Sequence, residues 1–400
     1  MSELKQNNMS DQNAVKDKNR ILSLDFLRGV AVLGMLIANV PWHAGTSMSR
    51  VYDPDLTSTV AWLLQYLVFD QRFMPIFCML FGASLYLLAG SDTHSSKFNR
   101  YYLRRMAILM VLGVAHAYLL WPGDILITYA VCGPFLLLFM NVRVSYLICF
   151  GVVFKLIDLA IGEWPGLYTS TIEQVLFSWW VDYGPAPSTA AEAYSGSYGD
   201  FLKYNTWRNQ FIQWTALPNF RIWNALGFML IGMALFKTGV LQGSKNTLYY
   251  RKMLMFSLLA GLPLLLYGIF ARIGINETVG AYLGFTETLP LKNITFRTGC
   301  AILSFSVLSG LHLIYPTLSR TFATKIEAVG KMALTNYIFH SVLFVLIFHS
   351  FELIAFDTLD HDELFLIVVI VWIVQIIMSS LWLKNFKQGP LEAVWRKMAS

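Results

Sequence analysis

Ten stretches of mostly apolar residues recur along this 400-residue chain, at about residues 24–42, 72–90, 102–121, 124–141, 144–162, 222–241, 253–273, 294–315, 331–351 and 364–383. A run of some twenty apolar residues matches the hydrocarbon core of a bilayer when it is α-helical. In hydrocarbon a helix also satisfies its own backbone polar groups, which an isolated strand does not. The pattern therefore predicts an all-α, polytopic membrane protein with about ten transmembrane helices. Only 14% of the residues are charged and 56% are hydrophobic, with a mean hydropathy of +0.53. A soluble domain carries about a quarter charged residues. Residues 57–70 add an amphipathic segment that lies in the interface or re-enters.

The loops predict an orientation. Lys16, Lys18 and Arg20, Lys97 to Arg105, Arg143, Lys237 to Lys252, Arg320 to Lys331, and Lys384 to Lys397 fall in alternate loops. The other loops are poor in Lys and Arg, and the one around Asp357 to Glu363 is acidic. Under the positive-inside rule both termini are cytoplasmic, and the expected location is a bacterial inner membrane. The organisation reads as a disordered cytoplasmic tail (1–19), a five-helix half (20–162), an extracytoplasmic segment (163–221) and a second five-helix half (222–400) with an interfacial terminal helix. The later part of 163–221, YSGSYGDFLKYNTWRNQFIQW from Tyr194, is aromatic and amphipathic, so outer-face helices are expected there.

Several classes are excluded or disfavoured. The net charge of +6 is spread between apolar runs rather than gathered in a patch, so membrane lipid rather than nucleic acid is the expected neighbour. Cys78, Cys132, Cys149 and Cys300 all lie in apolar runs without metal-type spacing and read as small buried hydrophobes. No metal site is expected. The chain has no GxxxxGK, HExxH or GxSxG motif, which argues against an ATP-driven pump or a metalloprotease.

The stretch RYYLRRMAILMVLGVAHAYLLWPGDILITYA, from Arg100 to Ala130, holds the strongest chemical candidates. Arg100, Arg104 and Arg105 stand where it begins. His116 lies inside the apolar run, and a Pro-Gly turn then delivers Asp124. Arg105 and His116 are eleven residues apart, close to three helical turns, which puts both on one face with a rise of roughly 16 Å. A carboxylate beside a histidine fixes its tautomer, as a general base requires. His116 reads equally as a histidine that bonds one helix to another. In the first run, Asp25 and Arg28 are spaced to pair, and Asn39 lies eleven residues after Arg28. His43, next to Trp42, reads first as a surface histidine. Lys155 and Asp158 read as an internal ion pair. Asn336 and His340, four apart, form a polar stripe that lines a cavity or joins two helices.

Several motifs together resemble one family. LDFLRG with Asn39, LFGAS (Leu80 to Ser84), the paired arginines with His116 and GDILITYA, YSGSYG, GKMALTNY (Gly330 to Tyr337) and the terminal GPLEAVWR resemble the YeiB family of bacterial inner-membrane proteins. More remotely the chain is similar to transmembrane acyltransferases such as the heparan-alpha-glucosaminide N-acetyltransferase group. That resemblance implies acyl-CoA as co-substrate and passage of the acyl group across the membrane to an acceptor. It implies that Arg28, Arg100, Arg104 and Arg105 hold the CoA phosphates, a task suited to guanidinium groups. In many related O-acyltransferases a histidine follows an arginine by eleven residues; here Asn39 stands there, so His116 is expected to be the base and Asp124 its orienting partner. Asn39 or Asn336 is then the oxyanion donor. The acceptor is an unidentified small molecule, sugar or lipid of the cell envelope, and a homo-oligomer is compatible with the sequence. The alternative is a membrane transporter or lipid-binding protein without covalent chemistry, using Asp25–Arg28 and His116–Asp124 as gating pairs.

Overall fold

The computed structural model describes residues 2–45, 56–90, 95–163, 186–272, 291–350 and 358–400, and every regular element among them is helical. The first helix, α1 (Ser2–Ala44), is the central post. Its 22-residue apolar part, Ser23–Ala44, is 78% buried inside the protein, whereas Val144–Gly162 is 22% and His361–Asn385 28% buried. The latter two belong to the lipid-facing periphery. Where composition predicts a disordered tail, the backbone continues as helix upstream to Ser2. Extending a helix that the membrane part has already nucleated avoids the unfavourable first turn.

Against α1 pack α3 (Phe73–Ala89), α11 (Lys292–Ile314), α12 (Arg320–Lys331), α13 (Ala333–Val345) and α14 (His361–Asn385), and the bundle is completed by α4 (Ser96–Leu119), α5 (Leu126–Leu136), α6 (Val144–Glu163), α9 (Ile222–Lys237) and α10 (Thr247–Arg272). A short α2 (Leu56–Leu64) precedes α3, and the chain ends in α15 (Pro390–Ala399). Two helices, α7 (Ala190–Ser195) and α8 (Tyr198–Phe211), belong to the segment before α9. A close crossing joins α1 and α12. A Cβ on Gly330 would stand 1.8 Å from the carbonyl oxygen of Asp25, and one on Gly29 would stand 2.2 Å from that of Ile326. Only glycine lets two helix backbones meet so closely.

Eight helices among the described residues are long and apolar enough to cross a membrane, and a bent pair makes a ninth. Three departures from the ten predicted runs have physical causes. The predicted interfacial segment 57–70 leads into the second span: α2, a π-helical turn (Gln65–Phe69) and α3 make up most of one 30-residue apolar stretch. The break falls at Gln71, which has positive φ, and is stapled by buried Arg72, whose Nη1 donates to the carbonyls of Tyr66 (2.9 Å) and Asp70 (2.5 Å). The fourth run is a short helix, Leu126–Phe139. The ninth is α12 and α13 meeting at 77°. At that bend the carboxylate of Glu392, on α15, accepts from the backbone N–H groups of Leu334 (2.8 Å) and Thr335 (3.1 Å). An anion there satisfies N–H groups that a helix start leaves without partners.

The first part of the segment expected to be extracytoplasmic, 164–185, lies outside the described residues, as do residues 273, 351 and 357 of other predicted runs and loops. Its second part is helical as expected. Both α7 and α8 open on capping boxes, Thr189 with Glu192 and Ser197 with Asp200. A π-helical stretch (Ile212–Arg221) then feeds α8 into α9.

Candidate functional site

His116 sits in the last turn of α4, and its carbonyl accepts from the N–H groups of both Leu120 and Trp121, which ends the helix. The chain then turns and brings Asp124 back alongside. Gly113, one turn before His116, makes this return possible: a Cβ there would stand 2.8 Å from the backbone nitrogen of Ile127. Asp124 does two things at once. Its Oδ1 accepts from the N–H of Ile127 (2.8 Å), capping the start of α5. Its Oδ2 lies 2.7 Å from His116 Nδ1. Because a carboxylate is an acceptor, it selects the tautomer with hydrogen on Nδ1 and leaves Nε2 as an acceptor.

That free nitrogen meets a group from the far end of the chain. Ser341 Oγ, on α13, lies 2.8 Å from His116 Nε2. Tyr337, one turn earlier on α13, packs its ring 5.1 Å from the His116 imidazole and accepts through its hydroxyl from the N–H of Ile125 (3.2 Å). Arg221, where the π-helical stretch runs into α9, donates to the Asp124 carbonyl (3.0 Å). His116, Asp124 and Ser341 are all buried. The arrangement is thus serine, histidine and aspartate in one hydrogen-bonded line, clamped by a tyrosine and an arginine.

His43 belongs to the same neighbourhood, which corrects its reading as a surface residue. It is buried while its neighbour Trp42 is exposed. Its ring stacks on Trp121 (4.4 Å) and approaches Phe344 (5.0 Å), and it is within electrostatic range of His116, His340 and His349. The reason is helical register: His43 continues the buried face that carries Leu36 and Val40 on α1. Asn39, half-buried one turn before His43, makes no side-chain hydrogen bond among the described residues.

The other predicted polar residues separate into groups. Asn336 and His340 face α14, not His116. Asn336 Nδ2 donates to Val329 O (3.2 Å) and Ser379 Oγ (3.0 Å), and His340 Nε2 pairs with Gln375 Oε1 (2.8 Å). Both amide hydrogens of Asn336 are therefore engaged by Val329 and Ser379. Asp25 and Arg28 pair at 2.8 Å. Lys155 lies 2.7 Å from Asp158, and Arg297 of α11 joins them on the same buried carboxylate.

The arginines of α4 also divide. Arg100 and Arg104 line an open depression of about 540 Å³ with Ser96, Asn99, Leu103 and Ala107. Arg105 turns instead towards the terminal helix: its guanidinium lies 3.9 Å over the Trp395 ring, and the Trp395 indole N–H donates to the Arg105 carbonyl (2.8 Å). The predicted shared face of Arg105 and His116 is visible in their neighbours, α15 at one end and α13 at the other, while α15 itself caps α13 through Glu392. Among the described residues no group of histidine, cysteine or acidic side chains is arranged to hold a metal ion.

Comparisons with known proteins divide the chain in two. Residues 20–189 match the family model described as heparan-alpha-glucosaminide N-acetyltransferase, catalytic, and residues 235–400 match the one described as a protein of unknown function (DUF418). Along nearly its whole length the chain is 28% identical to "Uncharacterized protein YeiB" of Escherichia coli (strain K12), covering 95% of this chain and 96% of that protein. It is also 28% identical to "Uncharacterized protein YxaH" of Bacillus subtilis (strain 168), over 97% and 96% of the two chains. Over nearly its whole length the chain is thus similar to YeiB and its relatives. Its first part carries the acyltransferase-like similarity, and the buried site joins both matched regions: His116 and Asp124 come from the first, Tyr337 and Ser341 from the second. Ser341, Tyr337 and Arg221 were not singled out by the sequence. The α13 stripe read there was Asn336–His340, and the stripe that meets His116 is its neighbour, rotated by one residue.

Proposed function

We propose that this protein is a transmembrane acyltransferase that moves an acyl group from cytoplasmic acyl-CoA to an acceptor of the cell envelope. The observation that carries the reading is His116 held on Nδ1 by buried Asp124, so that Nε2 is presented as a base. The acyltransferase-like match over residues 20–189 supports acyl transfer as the reaction class. Arg100 and Arg104 bind the CoA phosphates in their depression, Arg28 adds charge at the same end, and Arg105 holds α15 in place. From Arg104 to His116 is twelve residues, or about 18 Å of helix, over which the pantetheine arm and acyl group extend. His116 removes a proton from the attacking hydroxyl or amine, and Asp124 stabilises the imidazolium that forms. Asn39 supplies a hydrogen bond to the developing oxyanion.

Turnover and melting temperature measured in one preparation test this reading. Acetyl-CoA with glucosamine serves as the first donor–acceptor pair, followed by longer acyl-CoAs. His116→Ala is expected to lower the rate by about 10²–10⁴-fold, the usual contribution of a positioned base. Asp124→Asn is expected to cost less and to shift the pH profile, with both proteins folded. Full acyl transfer by His116→Ala at normal stability would remove the histidine from the mechanism.

A further inference from the structure

We infer that Ser341 is a nucleophile that carries the acyl group as a covalent ester between donor and acceptor. The inference rests on the acyl-transfer reading for its donor, but the nucleophile itself stands on geometry. Ser341 Oγ is 2.8 Å from His116 Nε2, and His116 Nδ1 is 2.7 Å from Asp124 Oδ2. A hydroxyl against a base that a carboxylate orients is the arrangement that activates serine. It is recognised by geometry and not by chain order, and here the serine lies 225 residues after the histidine.

Several helical serines elsewhere behave differently, although Ser379 of α14 also bonds across to another helix, at Asn336. Ser304, Ser306, Ser309 and Ser380 bond back to carbonyls three or four residues earlier in their own helices, the usual way a helix hides a hydroxyl. Ser341 instead spends its bond on a histidine of another helix. All three groups are buried, which keeps water from an ester intermediate. His43 lies in the same region of the protein. Buried His43 has no hydrogen-bond partner for Nδ1 among the described residues, and its ring lies 5.0 Å from that of Phe344, three residues after Ser341.

The chemistry balances. In the first half-reaction Ser341 Oγ attacks the thioester carbonyl; the new C–O bond forms as the C–S bond breaks. The serine proton passes to His116 Nε2 and from there to the sulfur of the departing CoA. In the second, the acceptor hydroxyl or amine attacks the ester carbonyl, its proton goes to His116, and the C–Oγ bond breaks as Oγ takes that proton back. Donor and acceptor never need to occupy the site together.

Two reagents test the idea on the full chain in lipid nanodiscs, with labelled sites mapped by peptide mass spectrometry. A fluorophosphonate probe reports the nucleophile without any acyl-CoA, and [¹⁴C]acetyl-CoA with acid quench reports the ester. Ser341 is expected to be labelled by both, with fluorophosphonate labelling at least 10²-fold slower in His116→Ala and absent in Ser341→Ala. Ser341→Cys keeps the size of the side chain and is expected to accept acetyl as a thioester that neutral hydroxylamine releases. Fluorophosphonate on Ser341 without acetylation would keep the nucleophile and overturn the acyl-CoA donor. Acetyl transfer by Ser341→Ala at the parent rate would overturn the nucleophile and keep the acyltransferase. No label on Ser341 from either reagent, in a protein that melts normally, overturns the inference outright.

Discussion

Adjacent residues of α13 serve different neighbours. Ser341 reaches His116, while His340 and Asn336 are tied to Gln375 and Ser379 of α14. A single step around a helix turns a side chain by about 100°, so identity at one position says little about the next. The same holds for Arg104 and Arg105, and it gives a prediction. Arg104→Ala, at the depression, is expected to weaken acyl-CoA binding with little loss of stability. Arg105→Ala removes a cation from the face of Trp395, a contact worth about 0.5–2 kcal/mol, and is expected to lower the melting temperature while leaving affinity close to the parent. Calorimetry and thermal unfolding of both variants check this, and equal loss of affinity in both would place Arg105 in the binding site as well. His116 and Asp124 were legible in the sequence because eight residues and one turn separate them. Ser341 was not, since its partnership with His116 exists only once distant helices pack, and the surface reading of His43 came first because proximity to Trp42 outweighed the buried register it shares with Leu36 and Val40.

The spans were legible as elements because each apolar run is long enough to announce itself. The bend between α12 and α13 was not, because the carboxylate that satisfies its freed N–H groups is Glu392, sixty residues further on in another helix. The helices α7 and α8 could be foreseen as helical, and their attachment explains why they matter: Asn205 and Asn209 both donate to the carbonyl of Ala117 (2.9 and 2.7 Å), and Tyr198 to that of Leu119 (2.7 Å). They therefore cap the end of α4 beside His116. Their own caps are pH-dependent. The Ser197 hydroxyl, then Lys203, hold the Asp200 carboxyl below its ordinary range, and the backbone N–H of Thr189, then its hydroxyl, do the same for Glu192. A depressed carboxyl stabilises the fold above its ordinary pKa and loses that contribution as pH falls through the lower folded value. Amide protection across residues 190–203, corrected for intrinsic exchange, is accordingly expected to fall below about pH 4, earlier than in α9. Protection that falls uniformly in both regions would assign no special role to the caps.

On the scale of the whole molecule, two matched sequence regions build one site. The region with acyltransferase-like similarity supplies His116 and Asp124, and the other supplies Ser341, Tyr337 and the terminal helix that caps α13 and clamps Arg105. This division explains why a chain of this kind needs both halves: neither contains the hydrogen-bonded line on its own. It also separates the arginine depression at the start of α4 from the buried polar groups at its end, which is the geometry that the proposed transfer across a bilayer requires. The direct measurement is made in sealed proteoliposomes with the protein inserted in one orientation, acetyl-CoA supplied on one side and glucosamine on the other. The account predicts acetylated product only when acetyl-CoA is on the side of Arg100 and Arg104 and glucosamine on the side of α7 and α8, with free CoA appearing on the donor side and no product from His116→Ala. Product formed only when both reactants share a side would contradict it.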